Sequence, residues 1–140
     1  MEKTFKKPVY FGSVLIIDDK EIDLYITKRI LLKNKITLKV FTETSSNSAL
    51  HFLNRTEIFP ELIFLDFQMS EEDGLDFLES YQELPKEKRK NTRIIVLSAY
   101  VNYLEKRMED IKIHPLVSGL LQKPFLVQNL TDIQNALLKN

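Results

Sequence analysis

The chain has 140 residues, with 20 Lys plus Arg balanced by 20 Asp plus Glu, 44% apolar residues and no cysteine. This is the make-up of one globular domain around a single core. It is too neutral for a general nucleic-acid binder, and the lack of Cys excludes disulfide scaffolds, thiolate metal sites and thiol catalysis. The two histidines, His51 and His114, are too few for a His-rich metal site. No run approaches the roughly 18 apolar residues of a membrane span.

Residues 1–10 are expected to form a mobile tail, and 11–140 the folded domain. Lys3, Lys6 and Lys7 are not followed by the long apolar region and small-residue cleavage site of a signal peptide, so a cytoplasmic location is expected. The apolar run 14–17 (Val-Leu-Ile-Ile) predicts a buried strand ending in Asp18-Asp19. Ile22, Ile26 and Ile30 recur at helical spacing and predict the inward stripe of a helix, with Leu24 and Leu31 off it. Residues 36–41 alternate as a strand with one polar face. Residues 45–53 predict a short helix with Ala49, Leu50 and Leu53 on one side. A second buried run, 62–65, ends in Asp66, and Leu75, Leu78 and Tyr81 predict a helix after Gly74. A third run, 94–97, ends in Ser98, and Leu104, Met108 and Ile111 predict a further helix. Residues 117–121 predict a last strand, Lys123-Pro124 follows it, and 126–138 predict a closing helix.

Strands alternating with helices imply an α/β fold, a doubly wound five-stranded parallel sheet with five helices. Strands that are apolar throughout are buried on both faces, which agrees with that arrangement. Ligands of such sheets bind at the carboxyl ends of the strands. The residues standing there are Asp18, Asp19, Asp66, Ser98 and Lys123. Three carboxylates brought together resist full ionisation. A hard divalent cation such as Mg²⁺ relieves that conflict, and it often takes carboxylates and a phosphate together. A hydroxyl and an ammonium beside it suit an anionic group.

The segments VLIIDD (14–19), PELIFLDFQM (60–69), Gly74, IIVLSA (94–99) and QKPF (122–125) together resemble the receiver domain of two-component response regulators, a flavodoxin-like fold. The resemblance spans residues 14 to about 138. It implies that Asp66 is the phosphoacceptor, taking a phosphoryl group from the phospho-histidine of a histidine kinase or a histidine phosphotransfer protein. Asp18 and Asp19 are implied as the acidic pair for Mg²⁺, with Asp66 and the backbone carbonyl of Gln68 as further metal oxygens. Ser98 is implied as the hydroxyl that turns toward the phosphoryl group, Lys123 as the ammonium that pairs with it, and Pro124 as a peptide often cis. The implied output is a change of protein–protein contact by a stand-alone, single-domain regulator, a monomer or weak dimer, with a downstream protein the sequence does not name. The family's usual contact surface would here include Tyr100, Tyr103, Arg107 and residues near Gln122.

Some positions depart from the family pattern. Leu120 stands where an aromatic residue usually precedes the lysine, and Ser70 where Pro is frequent. Glu71, Glu72 and Asp73 add negative charge to the rim. Lys20 is expected to point outward. Gln68 and Tyr100 hold positions that tune dephosphorylation in this family, and a bulky Tyr100 is expected to shield the acyl phosphate. Other readings compete. Asp18-Asp19 could cap a helix, Ser98 could be a turn residue, and Lys123 a solvated charge. His51 and His114 read as structural or exposed. Lys86, Lys88, Arg89 and Lys90 read as a solvated loop rather than a nucleic-acid patch. Rival functions are a receiver cut from a longer hybrid kinase or regulator, a phosphorylation-independent binding module, and an Mg²⁺-dependent aspartyl phosphatase. Enzymes of the last kind usually carry a second Asp two residues past the nucleophile, where this chain has Gln68.

Overall fold

The computed structural model describes residues 10–67, 69, 74–100 and 116–138. Its strands are β1 (Val14–Ile17), β2 (Val40–Glu43), β3 (Leu62–Asp66), β4 (Arg93–Ser98) and β5 (Val117–Gln122). Its helices are α1 (Glu21–Lys33), α2 (Ser46–Arg55), α3 (Gly74–Tyr81), the single turn α4 (Lys86–Arg89) and α5 (Asn129–Leu138). The strands form one parallel sheet in the order β2-β1-β3-β4-β5. The winding direction reverses between β1 and β3, the switch point where such sheets open a crevice. The expected helix through Leu104, Met108 and Ile111 lies outside the described residues.

Side-chain alternation along the strands builds two cores. Leu15, Ile17, Ile63, Leu65, Ile94 and Val96 face α2 and α3, packing with Ala49, Leu53, Phe77 and Tyr81. Val14, Ile16, Leu62, Phe64, Ile95 and Leu97 face the other way, packing with Leu24, Leu31, Phe125 and Ile133. β1, β3 and β4 are buried on both faces, and for that reason they read as unbroken apolar runs, whereas the outer strands β2 and β5 are only partly buried.

Three expectations need correction. The inward stripe of α1 is Leu24, Thr27 and Leu31, whereas Ile22 is 63% exposed. Positions seven apart drift by only ~20° around a helix, so Leu24 and Leu31 share an azimuth with Thr27 between them. The Ile22–Ile26–Ile30 row winds away from it. The second strand starts at Val40 rather than at Ile36. Ile36 is buried at the end of the α1 connection, and Thr37 forms a lone parallel bridge with Phe11. Arg89 is not simply solvated. It donates to the carbonyls of Leu84 (2.9 Å) and Gln82 (3.2 Å) and stands 5.7 Å from the centre of the Tyr81 ring. Burial raises the pKa of the Tyr81 phenol, against the opposing influence of Thr92 and Arg89.

Candidate functional site at the strand ends

β1 delivers Asp18 directly beyond its last residue, and Asp18 is 2% exposed. It does not cap α1: the N-cap is Lys20, which makes no side-chain cap bond. Asp18 Oδ1 instead accepts the Lys20 N–H at 3.0 Å, which fixes the carboxylate below the helix start. β3 ends in Asp66, also buried. Asp18, Asp19 and Asp66 each present a carboxylate oxygen within 4.8 Å of the others. This all-oxygen, acidic donor set fits a hard divalent cation of the Mg²⁺ type.

Phe67 anchors the chain behind Asp66. Its N–H donates to the Leu97 carbonyl (3.1 Å), and its own carbonyl accepts the Gly74 N–H (2.9 Å). A side chain at residue 74 would lie 2.4 Å from the Phe67 ring and 3.1 Å from its Cα. Glycine is therefore required there for close approach rather than for backbone freedom.

Lys123 joins the strands. It follows β5, and its N–H donates to the Ser98 carbonyl at 2.8 Å. The Lys123–Pro124 peptide is cis. Lys123 Nζ donates to Asp18 Oδ2 (2.7 Å) and Asp23 Oδ2 (2.9 Å), and it stands 3.4 Å from Asp66 Oδ2. Burial alone would lower the pKa of this ammonium. The bonds to Asp18 and Asp23 and the field of Asp66 reverse that and raise it well above the ordinary lysine value. Lys123 is thus a fixed positive charge, not the solvated one a lone lysine suggests.

Ser98 closes β4 and is fully buried. Its Oγ accepts the Tyr100 N–H at 3.0 Å. Gln122 Nε2 donates to the Ala99 carbonyl at 2.9 Å, tying the turn to β5. Leu120 packs against the α2–α3 core. A cavity of about 340 Å³ opens above the cluster, lined by Lys20, Asp23, Asp66, Ala99, Tyr100, Lys123 and Pro124. Lys20 is exposed at its wall, and Tyr100 is 62% exposed.

The sheet therefore gathers Asp18, Asp19, Asp66, Ser98 and Lys123 at one edge. Gln68, Ser70, Glu71, Glu72, Asp73, Tyr103, Arg107 and His114 lie outside the described residues, as do residues 1–9 of the expected tail. Asp23 was not singled out by the sequence. An acid in the first turn of a helix is ordinarily accounted for by the helix dipole. Its one distinguishing signal was its place a turn beyond an acidic pair at a strand end.

A family model described as the response regulator receiver domain matches residues 14–135. No curated protein matches the sequence. Among solved structures, a two-component response regulator from Cytophaga hutchinsonii superposes with a TM-score of 0.80 at 20% identity, over 94% of this chain and 99% of that one. A response regulator receiver protein from Dyadobacter fermentans gives 0.77 at 29% identity, over 92% and 99%. A chemotaxis response regulator of Vibrio cholerae gives 0.73 at 22% identity, over 89% and 98%. Among the described residues, no helix is long and apolar enough to cross a membrane.

Proposed function

The chain belongs to the response regulator receiver domain family, and on that premise we propose that it accepts a phosphoryl group on Asp66 and signals through the resulting change in one of its surfaces. The observation that carries this reading is the Lys123 ammonium, shared between Asp18 and Asp23 and 3.4 Å from Asp66 Oδ2 at the mouth of the cavity.

In the proposed reaction an Asp66 oxygen attacks the phosphorus of a phospho-histidine on a kinase or phosphotransfer protein. The P–O bond forms as the P–N bond breaks, and the imidazole leaves with the electron pair. Phosphoryl transfer asks a protein for in-line placement and charge neutralisation more than for covalent help. The β3 ladder and the Phe67 contacts place Asp66, and Lys123 supplies a permanent positive charge beside it. Asp18, Asp19 and Asp66, with the Gln68 carbonyl, would hold Mg²⁺. When bound, that ion would add positive charge to the transferring group's oxygens. The product carries close to two negative charges. Ser98 would turn to donate its O–H to a phosphoryl oxygen, releasing the Tyr100 N–H it accepts and carrying the change into the Ala99–Tyr100 turn. The output is a shifted population of that turn and its surroundings, read by a downstream protein.

The test is intact mass after incubation with Mg²⁺ and acetyl phosphate, beside Asp66→Asn. One phosphoryl added to the native chain and none to the variant is the expected result. No addition, together with no binding of beryllofluoride as a stable phosphoryl mimic, would favour a phosphorylation-independent binding module. Sustained hydrolysis of an unactivated phosphate monoester at a rate that depends on Asp66 would favour the aspartyl phosphatase.

A further inference from the structure

Lys123 Nζ has three protons to donate. Two are directed at Asp18 Oδ2 and Asp23 Oδ2, at 2.7 and 2.9 Å, while Asp66 Oδ2 is the most distant of the three carboxylates at 3.4 Å. The two closer partners differ in how they are held. The Asp18 side chain is 3% exposed and its other oxygen is bonded to the Lys20 N–H. Asp23 projects from the first turn of α1 with a side chain 29% exposed, and it lines the cavity above the cluster. It is not one of the carboxylates whose oxygens converge within 4.8 Å. Its position therefore suits contact with the ammonium rather than with a cation held by the other three.

We propose that Asp23 is a positioning residue that holds Lys123 back when Asp66 carries no phosphoryl group, and that it competes with that group for the ammonium. This rests on Asp66 being the phosphoacceptor. A phosphoryl group on Asp66 would present new oxygens at the most distant of the three positions. To meet them, the ammonium loosens its hold on the partner that water can most readily replace, which is the partly exposed Asp23. The Asp23 charge also acts on both ions of the loaded site, with opposite signs. It favours a nearby cation and disfavours a nearby anion. Asp23 would thus set how readily the site passes into its phosphoryl-bound form, a setting made outside the family motif segments.

The sign difference makes the proposal testable by calorimetric titration of the whole chain. Asp23→Asn keeps an oxygen that can accept from Lys123 but removes the charge. Its dissociation constant for Mg²⁺ alone should rise about three- to fivefold, the scale of one partly exposed charge contact. Its dissociation constant for beryllofluoride at saturating Mg²⁺ should fall by a similar factor. A merely structural role would weaken both. Asp23→Glu, which restores the charge, should return both constants toward the native values. Native binding of beryllofluoride with unchanged or weaker binding by Asp23→Asn overturns the Asp23 assignment alone. No beryllofluoride binding and no acetyl phosphate labelling of the native chain overturns the phosphoacceptor reading and this assignment with it.

Discussion

On the β1–β3 side of the sheet edge, the carboxylates of Asp18, Asp19 and Asp66 cluster, and a lysine from beyond β5 reaches back across the sheet to them. On the β4 side, Ser98 is satisfied within its own turn by the N–H two residues on. The first arrangement depends on contacts between distant parts of the chain, so loss of Lys123 takes one ammonium from three carboxylates at once. The second depends on a local hydrogen bond that can be exchanged at little cost. On the proposed reading the division is useful: Asp18 and Asp66 stay buried at the strand ends, while the ammonium and the hydroxyl are the groups that change partners.

The contrast can be broken most severely at Lys123. Lys123→Ala should slow acetyl phosphate labelling on the order of 100-fold, the usual cost of removing one electrostatic stabiliser from a transfer site. Quenched mass spectrometry time courses would measure it, and a change within tenfold would mean that the ammonium is not the dominant charge. Next in size is Gly74→Ala. The added methyl meets the buried Phe67 ring directly behind Asp66, and such overpacking should lower stability to urea by about 2 kcal/mol. Labelling should slow with it, because the Phe67 backbone fixes Asp66. Ser98→Ala should be milder. It removes the acceptor of the Tyr100 N–H and should cost about 1 kcal/mol. Asp66 should still take the label, while the change in the Ala99–Tyr100 turn, read by amide NMR shifts, is lost.

The smallest expected effect is that of mild alkali. The folded pKa of Lys123 lies above its ordinary 10.5, so its contribution is complete below about that pH and is lost only as pH rises through the folded value. Tyr81 has the same sign, with its proton held more tightly in the folded state than at the ordinary 10.0. Denaturation midpoints should therefore show no loss from these two groups between pH 7 and about pH 9.5. An alkaline decline above that range should be partly removed in Tyr81→Phe.

The strand ends were legible because strands buried on both faces leave unbroken apolar runs, and the next polar residue marks the edge. Asp18, Asp66 and Ser98 were found in that way. The first helix was harder to read. Three isoleucines outvoted a stripe whose middle member is Thr27, a polar residue that is nonetheless buried. Burial at Thr27 comes from azimuth rather than hydrophobicity, and composition does not report azimuth. The start of β2 is hard to place because Ile36 is buried in the same core as the strand residues Val14, Ile16 and Leu62, and Thr37 bridges to Phe11, although both precede the strand. Asp23 was hidden because its partner lies 100 residues away along the chain, beyond the reach of any local pattern.

That separation also bears on the order in which the protein is made. Lys123 lies 105 residues after Asp18. At roughly 5–20 residues per second of synthesis, Asp18 precedes its counter-charge by about 5–20 seconds. A growing chain can build β1, α1, β2 and β3 in that interval, yet its acidic edge still lacks the Lys123 ammonium. A fragment ending before residue 123 would retain Asp18, Asp19, Asp23 and Asp66 without the ammonium that joins them. The edge on which the proposed chemistry depends is therefore among the last parts of the molecule to close.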